Sequence, residues 1–330
     1  MNKYYSTIPA GFQQIAKKEL EKLDVQIQHV YEGLLIYTTQ LTPIEIGNIS
    51  YFVNSFLVIA EFDTYKGQSN EHILKNIDNI ALKHLQKYVK PGQSFRVRNS
   101  YKNQTVSVNE VFLKSLENNV VKHCSLKVNR SLSDLELWSY VRSEGFGMFG
   151  LLIPNAVQHI KPYKGELKPQ IAYLMCNLAE LQSSNVVMDP FAGHGAIAKQ
   201  IINFWEYKGL IANDKDDNLY LRLGENLTHT FKNKIINEDA TNLKSVLTSS
   251  VNKIVTDPPW GLFKEAEVTT LYNDMAKEFY RVLANDGVVV ILTAKEKELK
   301  EAFKENFKLE TEFNVLVSGK KAGLFKFIKD

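Results

Sequence analysis

The chain has 330 residues, 44% hydrophobic and 23% charged, with a formal net charge of +3. Such a composition excludes a disordered, fibrous or collagen-like chain, and its length suits two domains. Two widely separated cysteines, Cys124 and Cys176, without CxxC spacing exclude a disulfide scaffold and a zinc module, so no metal is expected.

The opening Met1-Asn2-Lys3-Tyr4-Tyr5 lacks a signal-peptide layout, and the most apolar stretch, Tyr51 to Phe62, is too short to span a bilayer. A soluble, cytoplasmic protein with no membrane partner is expected, a monomer being compatible with the sequence. Residues 1–160 carry 17 Lys and Arg against 14 Asp and Glu, while residues 161–330 carry 23 of each. Between Lys83 and Arg130 the only acids are Glu110 and Glu117, so an anionic partner is expected for the first half alone.

Apolar positions at Phe12, Ile15, Ala16, Leu20 and Leu23 recur at helical spacing and predict a helix over Gly11 to Leu23. Val30 to Thr38 and Phe52 to Phe62 read as strands, and His72 to Tyr88 as a helix stopped by Pro91-Gly92. Ser94-Phe95-Arg96-Val97-Arg98 alternates with period two, with both arginines on one face. Ser107 and Glu110 read as a capping box opening the next helix. Leu126–Asn129, Leu135–Val141 and Met148–Ile153 close this half as short strands.

The texture changes over Ile160 to Pro169, which reads as a hinge. A helix starts near Pro169, and strands then alternate with helices: Val186–Met188, Leu210–Asn213, Lys234–Asn237, Lys253–Thr256 and Gly287–Thr293. That order predicts a parallel, doubly wound α/β sheet. Phe307 to Phe327 reads as an antiparallel hairpin on its edge, turning at Ser318-Gly319-Lys320-Lys321.

Asp189-Pro190-Phe191-Ala192-Gly193-His194-Gly195 follows the first of these strands. Ligands of such sheets lie beyond the carboxyl ends of the strands, and a helix starting near Ala196 would point free N–H groups at them. Gly193 and Gly195 would let the backbone pass close to the ligand. An acid four residues before the first glycine opposes a pyrophosphate and suits a cationic group such as an ammonium. Asp214 ends the second strand, where it can accept from ribose hydroxyls, and Asp239 follows the third, where it can accept from an adenine amine. Taken alone, each acid reads as a helix cap or loop residue, and Asp216 and Asp217 keep that reading. Three acids at successive strand ends together outline S-adenosylmethionine.

Thr256-Asp257-Pro258-Pro259-Trp260-Gly261 is the most specific segment. An exocyclic base amine is a poor nucleophile because its lone pair is delocalised into the ring. The Asp257 carboxylate and the Pro258 carbonyl are two acceptors for its hydrogens, and Pro259 stiffens the turn. Trp260 can stack on the base, worth roughly 1–3 kcal/mol. Alignment of amine and donor can lower the barrier by about 7–11 kcal/mol. The base must leave its stack to reach such a pocket.

These residues carry a resemblance. The half from about Ile160 to Asp330 resembles class I, Rossmann-like S-adenosylmethionine-dependent amino-methyltransferases with an Asp-Pro-Pro-Trp motif. The opening Tyr4-Tyr5-Ser6-Thr7-Ile8-Pro9-Ala10-Gly11-Phe12 is similar to an N-terminal ferredoxin-like segment, and Ser94–Arg98 with the following helix resembles a THUMP core. Gly165-Glu166-Leu167-Lys168-Pro169 is similar to the segment that opens the catalytic domain and packs beside the cofactor. The combination is that of THUMP-containing tRNA guanine-N2 methyltransferases.

The resemblance implies a mixed α/β and α+β chain, with a ferredoxin-like segment at 1–60, a THUMP domain at 61–155, a linker at 156–169 and a seven-stranded methyltransferase domain at 170–330. It implies S-adenosylmethionine as cofactor, with Asp189, Phe191, Gly193 and Gly195 at the methionine end, Asp214 at the ribose, and Asp239 with Ala240 at the adenine. Asp257, Pro258, Pro259 and Trp260 would hold the guanine amine. The chain departs from its relatives at Ala192, His194 and Gln200, where a small or thiol residue, a hydroxyl residue and a glutamate are usual.

The implied partner is tRNA, gripped by the THUMP half through Arg96, Arg98, Lys102, Lys122, Lys127 and Arg130, with methylation in the acceptor stem near position 6. Two other readings are N6-adenine methylation of ribosomal RNA or DNA, and a non-catalytic RNA-binding protein that keeps the fold.

Overall fold

A computed structural model of the chain describes residues 1–63, 69–156, 163, 165–227, 230–260 and 265–330, with side chains in the last stretch from 267 onward. In the first half the elements run β1 (Asn2–Thr7), α1 (Gln13–Leu20), β2 (Val25–Tyr31), β3 (Leu34–Thr39), α2 (Pro43–Gly47), β4 (Asn54–Asp63), α3 (Asn70–Lys75) and α4 (Asn79–Gln86). They continue with β5 (Ser94–Tyr101), β6 (Gln104–Thr105), α5 (Glu110–Cys124), β7 (Lys127–Val128), β8 (Leu135–Val141) and β9 (Phe146–Ile153). The second half has α6 (Pro169–Leu178), β10 (Val186–Asp189), α7 (Ala196–Phe204), β11 (Gly209–Asn213), α8 (Asp217–Asn226) and β12 (Asn233–Ile236). It ends with β13 (Val251–Thr256), α9 (Glu265–Val282), β14 (Leu283–Thr293), α10 (Glu296–Phe303), β15 (Phe307–Val317) and β16 (Lys320–Lys329).

Among the described residues, the first half forms one nine-stranded sheet in the order β2-β3-β1-β4-β9-β8-β5-β6, with β7 beside β5. Residue 60 lies inside β4, which pairs with both β1 and β9, so a single sheet crosses the expected boundary between 1–60 and 61–155. Alternation along β4 sends Leu57 and Ile59 to the face packed by the helices, and Phe56 and Val58 to the opposite face with Tyr5 and Met148.

Several local expectations are corrected. The stretch read as one strand over Val30–Thr38 is a hairpin, β2 to β3, turning at Glu32-Gly33. β1 has no counterpart in the sequence reading, because Tyr4 and Tyr5 are both aromatic although they face opposite sides of the sheet. The single helix over His72–Tyr88 is two, broken where the Asp78 side chain accepts from the Ala81 N–H at 2.8 Å and caps α4.

The capping box at Ser107 does not form. Asn109 is the N-cap of α5, accepting from the Val111 N–H at 2.9 Å, a bond worth about 1 kcal/mol. Glu110 is then the first helical residue, too early to reach back, and it pairs with Lys114 instead.

The second half forms a seven-stranded sheet, β12-β11-β10-β13-β14-β16-β15, parallel from β12 to β14. The terminal hairpin forms as expected, with β16 antiparallel to β14 and β15 outermost. Short α/β connections leave helices on both faces of the parallel strands. The reversal of strand order falls between β10 and β13, placing the ends of those two strands side by side.

The halves share one core in which Ile15, Ala16 and Leu20 of α1 join Ile171, Leu174 and Met175 of α6. The Leu316 N–H donates to the Ala10 carbonyl at 3.0 Å, and Asn177 Nδ2 donates to Glu19 Oε2 at 2.5 Å. At Gly11 a Cβ would fall 2.2 Å from the Asn314 carbonyl oxygen, so only glycine lets the chain press this closely on β15. The Ile160–Pro169 hinge and the 156–169 linker fall partly on 157–162 and 164, outside the described residues. The described part is packed: Glu166 pairs with Lys199 at 3.1 Å and accepts from the Tyr163 N–H at 2.8 Å. Among the described residues no helix is long and apolar enough to cross a membrane.

Candidate active site

The parallel strands present their carboxyl ends on one side, and the chemistry-bearing residues sit there. A cavity of about 250 Å³ opens at the switch point between β10 and β13. Asp189 from β10, Phe191, Gly193 and His194 from the following loop, Glu166 from the segment before α6, and Asp257 after β13 all line it.

Asp189 is 1% exposed, and its Oδ1 accepts from Thr256 Oγ1 at 2.8 Å and from the Phe191 N–H at 3.2 Å. The first bond crosses the switch point and ties the two strand ends together. Burial, with smaller help from the nearby Asp257 and Asp214, pushes the Asp189 carboxyl up to about 7 against those two bonds. Burial also pushes Asp257 up to about 7, opposed by the Trp260 indole, whose Nε1 donates to Asp257 Oδ1 at 2.5 Å. Asp189 and Asp257, two carboxyl groups on one small cavity without a cationic partner among the described hydrogen bonds, suit a cation.

The loop glycines have different reasons. Gly193, at φ +54, has open space where a Cβ would stand, and its N–H donates to Asp214 Oδ2 at 2.9 Å. Gly195, at φ +85, would press a Cβ onto Leu223 and Leu227 at 3.2 and 3.1 Å. Packing on α8 and the left-handed conformation both favour glycine there.

Asp214 also accepts from the Asp216 N–H at 3.0 Å, so one carboxylate shapes both the glycine loop and the start of α8. Asp239 accepts from the Thr241 N–H at 2.9 Å and hydroxyl at 2.7 Å, which hold its carboxyl below the usual range. Its neighbour Ala240 is buried. Asp214, Asp239 and Ala240 stand at the ends of β11 and β12, beside the cavity wall rather than in it.

Pro258 is buried and Pro259 exposed, while Trp260 lies half-buried against the core. Gly261, the last residue of the motif, lies outside the described residues.

One positioning residue escaped the sequence reading. Asn213, fully buried, donates from Nδ2 to the Pro190 and Glu238 carbonyls, each at 2.9 Å, and accepts the Glu238 N–H at 2.9 Å. The Ala192 N–H donates to its backbone carbonyl at 2.8 Å. Asn213 thus binds the loops after β10, β11 and β12 into one unit. A buried amide closing an otherwise apolar strand was its signal. His194, read as a loop histidine, stacks on Tyr163 at 4.5 Å between ring centres.

The six basic residues of the first half do not gather. Arg96 and Arg98 share a face of β5, but Arg96 is held by Glu136 on β8. Arg130 binds Glu117 through two bonds, at 2.9 and 2.7 Å. Lys102 lies past the far end of β5 with Nζ 5.2 Å from the Tyr101 ring centre. Lys122 and Lys127 are exposed on either side of the α5 C-cap Ser125, and among the described residues no carboxylate pairs with either. The rise along β5 puts the Lys127 end roughly 23 Å from the Lys102 end. Two of the six are thus neutralised within the fold, a pairing that stretches of sequence do not display.

Comparison with known proteins agrees with this geometry. Residues 159–322 match the family model described as RMKL-like, methyltransferase domain. The chain is 22% identical to the tRNA (guanine(6)-N2)-methyltransferase of Methanocaldococcus jannaschii, over 96% of this chain and 97% of that one. Its fold is that of TrmN from Thermus thermophilus, with TM-score 0.77, 18% identity and complete coverage of both chains. It is also that of SMU.472, solved with SAH, with TM-score 0.76, 15% identity, and 100% and 98% coverage. A cavity at the switch point lined by Asp189 and Asp257, with open space beside Gly193, fits a sulfonium donor, and the chain carries a methyltransferase domain whose cofactor is S-adenosylmethionine.

Proposed function

We propose that the chain methylates the exocyclic N2 amine of a guanosine in tRNA, in the acceptor stem near position 6, while the first half grips the RNA. One observation carries this reading: Asp257, opening the Asp-Pro-Pro-Trp turn, lines the same cavity as Asp189, Phe191 and Gly193. The amine acceptor thus faces the space that fits the donor. Likeness along nearly the whole chain to an archaeal enzyme of that activity supports the choice of guanine and of tRNA.

When bound, the cofactor supplies an electrophilic methyl group. Asp189 faces its ammonium, Asp214 its ribose, and the Asp239–Ala240 segment its adenine. Asp257 and the Pro258 carbonyl accept the two hydrogens of the target amine and turn its lone pair toward the methyl, with Trp260 beside the base. Transfer of the methyl from sulfur to nitrogen would break its bond to sulfur and leave a thioether, and the proton that the amine then sheds would go to the Asp257 carboxylate. After a ferredoxin-like segment at 1–60, residues 61–155 act as a THUMP-type RNA-binding region, the two sharing strand β4 and one sheet. Their phosphate contacts come from Lys122 and Lys127 at one end of β5, and from Arg98 and Lys102 along it and beyond its other end. Such contacts give affinity without sequence preference and weaken with salt.

Unmodified tRNA incubated with labelled donor should yield N2-methylguanosine on nucleoside analysis, mapped to the acceptor stem. Labelled N6-methyladenosine without N2-methylguanosine would overturn the guanine assignment. Asp257→Ala should abolish transfer while RNA affinity stays unchanged. A matching loss of affinity would show that grip and chemistry are not separable.

A further inference from the structure

We infer that Trp260 positions the Asp257 carboxylate through its indole N–H, a role distinct from stacking on the base. The Nε1 to Oδ1 bond is 2.5 Å long, and the indole is itself half-buried against the core that the two halves share. A ring wedged in place and bonded to one oxygen fixes the rotation of the carboxylate, so Oδ2 is left for the target amine. Phenylalanine would offer the same flat face and no donor. The inference rests on the reading of Asp257 as the amine acceptor.

The surroundings make that donor matter. Among the described residues, the titratable groups facing Asp257 are Asp189 from β10, Tyr272 from α9, and Glu166 and His194 around the cavity. Tyr272 is occupied with Thr293, their hydroxyl oxygens 2.7 Å apart. Glu166 is bound to Lys199, and Asp189 is itself an acid. Among the described residues, the Trp260 N–H is thus the group that opposes the effect of burial on Asp257 and favours its ionised form. A charge-assisted bond of this kind is among the stronger ones in proteins.

The test replaces Trp260 by 3-benzothienylalanine, which keeps the shape and stacking face of the indole and removes the donor, with Trp260→Phe as a second variant. Calorimetry with S-adenosylhomocysteine confirms that each variant keeps a folded cofactor site. Both should show an unchanged KM for RNA, a kcat at neutral pH lowered roughly tenfold or more, and an acid limb of the kcat profile moved to higher pH. An unchanged kcat, or a lowered kcat with the limb unmoved, overturns the inference. Asp257→Asn separates the two claims. If it is inactive while the benzothienyl variant behaves as the parent, only the role of Trp260 fails. Should Asp257→Asn still transfer methyl, the reading of Asp257 fails.

Discussion

Donor binding should tighten as pH rises toward neutrality, and Asp189 is the reason. Its carboxyl is buried at the base of the cavity and pushed up to about 7, so it is mostly protonated in mildly acidic solution. A cationic donor favours the ionised form, so binding must drive the proton off, and affinity rises with the ionised fraction. From about pH 6 to about pH 7 that fraction goes from roughly one-tenth to one-half, which predicts a roughly fivefold drop in Kd. The window stays below about 7.7, where an α-amino group starts to lose its own proton.

Isothermal titration calorimetry in two buffers of different ionisation enthalpy reads both the Kd and the released proton, expected to be about half a proton per site near pH 7. S-adenosylhomocysteine, which keeps the ammonium and lacks the sulfonium, should follow the same slope. Asp189→Asn should flatten it, and Asp257→Asn should keep it but move it to lower pH, because the Asp257 charge helps to raise Asp189. A Kd independent of pH in the parent, or a slope that survives Asp189→Asn, would refute the assignment of Asp189 to the ammonium.

Two further outcomes are expected. Gly195→Ala, forced into a left-handed conformation and crowded by Leu223 and Leu227, should lose about 1–3 kcal/mol of stability, read as a lower urea midpoint at unchanged slope. The basic residues should separate by role: Lys122→Ala with Lys127→Ala should flatten the salt dependence of RNA binding by about two, at unchanged thermal stability. Arg130→Ala should leave that slope alone and lower the melting temperature, because it strands Glu117, whose side chain is 5% exposed.

How far the sequence spoke depended on the distance over which each residue acts. The second half was legible because alternating apolar runs and Gly/Pro punctuation are local, and Asp189, Asp214, Asp239 and Asp257 each stand at or just after a strand end that such a pattern locates. The first half was harder. Tyr4 and Tyr5 face opposite sides of β1 yet look alike in a hydrophobic pattern, and the Val30–Thr38 run hid a tight turn. Bonds between distant residues left no trace. Arg96 and Glu136 become partners only because β5 and β8 lie side by side, and Arg130 meets Glu117 by folding back along α5. Asn213 looked like a strand residue until its three hydrogen bonds showed what it joins.

The seam at Gly11 carries a mechanical consequence. With the Asn314 carbonyl seated where a side chain would be, and Ala10 bonded to Leu316, an opening of the two parts of the molecule would have to break this seam. On the proposed function, strain in drawing a nucleotide out of a stem would then fall on the RNA. A bulkier residue at position 11 would act as a wedge, altering the reach between anchor point and pocket without touching either.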